Sequence, residues 1–101
     1  MTREHRYFVY LLASKPYGTL YVGVTSDLAG RISQHRNETR DGFTKKYGVH
    51  MLVWFEEYAD IYDAILREKR IKKWRRACKV ELIEKMNPRW ENLFFQIVQL
   101  S

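Results

Sequence analysis

YVGVTSDLAGRISQH, residues 21–35, is the stretch that decides the fold. It reads as the end of a strand, a tight turn and the first turns of a helix. Tyr21 to Gly23 close the strand, and Thr25-Ser26-Asp27 offers side-chain oxygens to the free N–H groups of a helix start. Arg31 and His35 lie four apart on one face of that helix, with Leu28 and Ile32 beside them. A helix that packs its Leu/Ile face inward also turns an arginine and a histidine toward the sheet. Burying such groups unpaired is costly, and a functional site is one reason to place them there.

Working outward, Arg6–Ala13 (RYFVYLLA) is β-branched, aromatic and apolar, and reads as a strand. Residues 14–18 (SKPYG) form a turn cluster, and Thr19–Thr25 is a second strand, giving an antiparallel hairpin. A register that pairs Leu12 with Thr19 also sets Tyr10 opposite Tyr21, so both phenols point to one side of the sheet. The first helix spans Asp27 to about Asn37. A polar loop, residues 38–48, carries Lys45, Lys46 and Tyr47. His50–Tyr58 is a third strand, and Asp60 opens a second helix that reaches about Lys73. A third helix is expected over about Lys79–Lys85, stopped by Asn87-Pro88. The tail, Trp90–Leu100, contains the apolar run FFQIV, which is expected to pack. The order is β-β-α-β-α-α, an α+β pattern with a small antiparallel sheet. Residues 1–101 read as a single domain, with a core of about 7–93 and a C-terminal tail, 94–101.

The chain has 101 residues, of which 46% are hydrophobic, enough for one core without covalent staples. Its net charge is +6, which favours a polyanionic partner, nucleic acid before an anionic membrane. A single cysteine, Cys78, makes no internal disulfide, and the absence of Cys/His clusters argues against zinc. The apolar run near the N-terminus alternates like a strand rather than a signal peptide, and no membrane span is read. The expected location is cytoplasmic.

Glu68 is the sharpest single clue. Ile61, Ala64, Ile65 and Ile71 make the apolar stripe of the second helix, and Glu68 falls near its centre. A carboxylate there is paired, neutralised or bound to a cation. A buried ion pair with Arg31 or a lysine competes with a metal ligand. Around it runs a basic sequence, Arg67, Lys69, Arg70, Lys72, Lys73, Arg75, Arg76 and Lys79, with Glu68 as the one acidic residue. A solvated helix face and a phosphate-binding surface both fit such a run. Trp74 within it is expected to join the core rather than stack on a base.

Taken together, Phe8-Val9-Tyr10, Tyr21-Val22-Gly23, Arg31, His35 and a Glu on a later helix resemble the GIY-YIG endonuclease family. The two triplets stand about ten residues apart. More closely, the chain resembles the small standalone bacterial members, often called URI-domain endonucleases, over roughly Tyr7 to Leu93. It departs from the family name at Phe8, where Gly is usual, and has Val for Ile in both triplets. The resemblance implies a three-stranded antiparallel sheet flanked by helices. It also implies hydrolysis of phosphodiester bonds in nucleic acid, with DNA expected before RNA, in repair- or recombination-type processing.

The implied catalytic residues are Tyr10, Tyr21, Arg31, His35 and Glu68, with Glu68 as the ligand of one Mg²⁺ or Mn²⁺ ion. One carboxylate suffices, because Mg²⁺ fills its shell with water and phosphate oxygens. Arg31 has the fixed charge and fork geometry for phosphate. A phenol, with a pKa near 10, must have it lowered by cations to act as a base at neutral pH. Either tyrosine fits that role, with a lean to Tyr21 beside Gly23, whose missing side chain would admit substrate. His35 suits orienting a tyrosine, relaying its proton or touching phosphate. Lys45, Lys46, Arg70, Lys72, Lys73 and Arg76 are the candidate nucleic-acid contacts, and Tyr47 a candidate auxiliary. Asn87 and Asn92 both lie where the family carries a supporting Asn, and neither is assigned that role. A homodimer or a separate partner would supply specificity. The alternatives are a non-catalytic nucleic-acid-binding module on the same fold and a protein-interaction domain whose basic helix docks an acidic partner.

Overall fold

A computed structural model describes residues 6–36 and 48–99. The elements are β1 (Tyr7–Ala13), β2 (Leu20–Thr25), α1 (Leu28–Arg36), β3 (Met51–Tyr58), α2 (Ile61–Lys73), α3 (Arg76–Met86) and α4 (Phe94–Gln99). The three strands form one antiparallel sheet in the order β2-β1-β3. Because side chains alternate along a strand, β1 feeds two layers. Val9, Leu11 and Ala13 face a core shared with Ala64 and Ile71 of α2, Ile83 of α3 and Trp90. Tyr10 and Leu12 face the opposite core, shared with Leu28 and Ile32 of α1 and with Leu93 and Ile97. A bulge sets Leu11 opposite Trp54 but Leu12 opposite Leu52. The extra residue, Val53, therefore joins Trp54 in the first core.

The hairpin register differs from the sequence expectation. Leu12 pairs with Tyr21, and Tyr10 pairs with Gly23. Pairing Leu12 with Thr19 would leave a two-residue loop of Lys15 and Pro16. The favoured two-residue turns need positive φ at the first central residue or at both, which Lys resists and Pro forbids. The chain instead makes a wider turn. Ser14 N–H donates to Thr19 O at 3.0 Å and Gly18 N–H to Lys15 O at 2.9 Å, with Tyr17 at φ 61°. The shift is two residues, so side-chain parity is kept and the two phenols still share a face.

The turn is held from outside the sheet. An Arg76 guanidinium nitrogen donates to the carbonyls of Tyr17 (2.6 Å) and Gly18 (2.7 Å). The Tyr17 ring lies 4.8 Å from that of Trp90, and its hydroxyl donates to Glu84. That bond is the main cause of the raised Tyr17 pKa.

The third helix begins at Arg76, three residues before the expected start. Arg75, its N-cap, makes no side-chain capping bond, and the first turn has no acidic residue, so the usual start signals are missing. The apolar tail packs, as expected, but as helix α4: Leu93 and Ile97, one turn apart, are buried, and α4 lies against α1. No helix among the described residues is long and apolar enough to cross a membrane.

Candidate active site

Tyr10 and Tyr21 meet on the α1 side of the sheet, with ring centroids 6.3 Å apart and planes tilted by 39°. They differ in access: Tyr10 is buried and Tyr21 half-buried. Gly23 explains the depth of Tyr10. A methyl group at Gly23 would sit 2.4 Å from both Cζ and Oη of Tyr10 and 2.9 Å from Cε1. The glycine makes room for the first triplet's own phenol, where the sequence had suggested an opening for substrate.

Helix α1 starts as its sequence implies. Asp27 Oδ1 accepts from Gly30 N–H at 3.1 Å, Thr25 Oγ1 accepts from Asp27 N–H at 3.0 Å, and Asp27 O accepts from Arg31 N–H at 2.9 Å. Leu28 and Ile32 are buried, which leaves Arg31 half-buried at the edge of that face. Arg31 makes no ion pair among the described residues. The His35 side chain, and Lys45, Lys46 and Tyr47, lie outside the described residues.

Helix α2 opens with Asp60 Oδ1 accepting from Tyr62 N–H at 2.8 Å. Its inward face is Ala64, Glu68 and Ile71, all buried, and the helix packs on β1 and β2. The Glu68 side chain is only 10% exposed, and its Oε2 pairs with Lys72 Nζ at 2.5 Å. Lys72 itself is 56% exposed, so the pair points from the core out to solvent. The counter-ion is thus a lysine one turn on, not Arg31. No group of three or more His, Cys, Asp or Glu gathers as a metal cage among the described residues. Glu68 alone suits a hard cation that keeps most of its shell as water and phosphate oxygen.

The basic run divides by structure. Lys69, Arg70, Lys73 and Arg75 are exposed. Arg67 is half-buried, pairs with Glu56 at 3.1 Å and lies 5.2 Å over the Trp74 ring, which packs on the core. Arg76 is occupied by the hairpin turn, and Lys79 donates to Lys72 O at 3.4 Å. Of the expected nucleic-acid contacts, Arg70 and Lys73 project freely, whereas Lys72 and Arg76 already have partners in the fold. Beside Arg67, burial and then a hydrogen bond to Glu56 push the Tyr58 phenol up to about 12.

Both C-terminal asparagines bind backbone. Buried Asn87 donates to Val53 O (3.1 Å) and Glu91 O (2.8 Å) and accepts from Glu91 N–H (2.9 Å). Asn92 Oδ1 accepts from Phe94 N–H (3.0 Å), capping α4, and from Leu52 N–H (3.3 Å). They tie the last helices to β3, a role that residue spacing does not reveal.

The structure gathers Tyr10 and Tyr21 on the α1 side of the sheet, with Arg31 at the edge of that helix, and sets Glu68 on the α2 side with Ala64 and Ile71, so the carboxylate stands across the sheet from the phenols. The chain belongs to the GIY-YIG family, whose catalytic domain matches residues 6–86. Within it the chain is similar to bacterial UPF0213 proteins. One from Clostridium perfringens is 36% identical over 85 residues, spanning 84% of this chain and 90% of the relative. One from Staphylococcus epidermidis is 32% identical over 79 residues, 78% and 95% of the two chains. The solution NMR structure of a Bacillus halodurans UPF0213 protein matches with a TM-score of 0.56 and 28% identity, over 86% of this chain and 92% of that one.

Proposed function

We propose that this protein is a divalent-metal-dependent endonuclease that hydrolyses phosphodiester bonds, with DNA as the favoured substrate, in repair- or recombination-type processing. The observation that carries the proposal is the placement of Glu68. An i,i+4 pair with a half-exposed lysine is worth only about 0.3–0.5 kcal/mol. Desolvating a carboxylate costs several kcal/mol when burial is complete. The Lys72 pair is a weak reason to keep Glu68 in an apolar stripe, and a cation ligand is a stronger one.

In this reading Arg31 binds the scissile phosphate through its fork of donors, and offsets the charge that builds on it as water attacks. Tyr21, the more accessible phenol, contacts the attacking water and, as the phenolate favoured by neighbouring cations, takes its proton. Tyr10, buried over Gly23, holds the Tyr21 ring in place. A Mg²⁺ or Mn²⁺ ion on Glu68, when bound, would act as a Lewis acid and stabilise the leaving oxygen. Lys72, on its long exposed stem, would then release Glu68 and turn to phosphate.

A second reading, a non-catalytic nucleic-acid-binding module, is favoured by the 2.5 Å Lys72–Glu68 pair, which supplies a counter-ion without metal. A cleavage panel of plain, nicked, flapped and branched DNAs, with Mn²⁺ or with chelator, separates the two. The nuclease reading expects products that need metal and disappear in folded Arg31→Ala. Binding without cutting of any substrate would leave the module.

A further inference from the structure

The outward face of α2 carries a stripe that neither the fold nor the tyrosine site uses. At 100° per residue, Tyr62, Leu66, Lys69 and Lys73 fall within about 60° of one another, opposite the buried Ala64 and Ile71. Tyr62 is 79% exposed and Leu66 48%, and both lysines are exposed. Tyr17, the other strongly exposed tyrosine, has its ring on Trp90 and its hydroxyl on Glu84. The Tyr62 ring makes no aromatic contact among the described residues. Lys69 and Lys73, one turn apart, make no ion pair among them. Beside the stripe, Leu66 and Arg70 border a recess of about 300 Å³ whose other walls are Glu56, Tyr58, Asp63 and Arg67.

We infer that this face binds an unpaired stretch of nucleic acid, with bases stacked on Tyr62 and Leu66 and phosphates on Lys69 and Lys73. The inference rests on the nucleic-acid reading above and narrows its substrate to one with single-stranded character. The chemistry is complementary along the helix. The end with the lysines attracts phosphate. The end with Tyr62 offers a flat apolar surface, and Asp63 beside it repels phosphate and accepts from N–H donors on base edges. A duplex keeps its base faces stacked inside and has nothing to lay on Tyr62, whereas a single strand presents them. An acidic protein partner would use the lysines but has no need of a solvated tyrosine ring next to a carboxylate.

The test is fluorescence anisotropy with labelled oligothymidylate and, separately, a blunt duplex, in chelator so that no cleavage occurs. Tyr62→Ala, at an exposed helical position that tolerates alanine, should weaken oligothymidylate binding about five- to 150-fold. It should leave duplex binding unchanged, and Tyr62→Phe should restore the wild-type value. Lys69→Ala with Lys73→Ala should lower the slope of log K against log salt by about 1.4 on the single strand. Unchanged oligothymidylate binding in Tyr62→Ala, or an equal loss on single strand and duplex, overturns the inference while leaving the nuclease reading intact. Wild type that binds neither probe at low salt overturns both.

Discussion

Replacing Gly23 with alanine puts one methyl group where Tyr10 already is. The added carbon would lie 2.4 Å from Cζ and Oη, far inside van der Waals contact. Tyr10 is only 1% exposed, between Leu12, Leu28 and Ile32 in a packed layer, and has no open space to move into. Overpacking of this kind costs about 1–3 kcal/mol, which lowers the melting temperature of a domain this size by about 5–20 °C. Tyr10→Phe in the same chain removes the clash at Oη but not that at Cζ, so it should rescue little. Tyr10→Leu should rescue more, giving a favourable coupling in a double-mutant cycle. The assay is thermal unfolding of wild type, Gly23→Ala, the two Tyr10 single variants and the two double variants, followed by circular dichroism. An unchanged melting temperature in Gly23→Ala, with loss of cleavage alone, would refute the packing role and return Gly23 to the substrate path.

Asn87→Ala removes three hydrogen bonds from a buried side chain and should destabilise by about 3 kcal/mol, read as a lower urea midpoint with an unchanged slope. Asn87→Asp should be worse, since it aims a carboxylate at the carbonyls of Val53 and Glu91. The Tyr58 phenol titrates near 12 in the fold and near 10 in the unfolded chain. Its neutral form is the one the fold favours, so its contribution is complete below pH 10 and is lost as pH rises toward 12. Tyr58→Phe should flatten the stability profile across that window, measured as urea midpoints against pH. Arg6, the largest influence on Glu57, holds its carboxyl below the usual range. Glu57→Gln should therefore remove a small loss of stability that wild type shows as pH falls through the acid range.

Much of the fold was legible because its signals are local. Alternation in Arg6–Ala13, the capping residues Thr25 and Asp27, and the stripe of α2 each declare themselves within a dozen residues. Glu68 was legible for the same reason, as a charge out of place in a periodic pattern. The register was missed by two residues because the geometry of the 14–19 turn, not the strands, sets it. The start of α3 was hidden by arginines and lysines standing where a cap and acidic first turn usually announce a helix. The Asn87 and Arg76 tethers span 34 and 59 residues of sequence, a distance at which periodicity carries no information. Which tyrosine is accessible depended on the ring of Tyr10 filling the space over Gly23, which only the folded register defines.

The most direct measurement is single-turnover cleavage of a flapped DNA in Mn²⁺ by wild type and Glu68→Gln, side by side, with both proteins shown to melt cooperatively. Metal-dependent cleavage by wild type and a loss of about a hundredfold or more in the folded variant is the expected result. Equal rates in the two proteins, or no cleavage by wild type on any DNA, would contradict the assignment of Glu68 as the metal ligand of a nuclease.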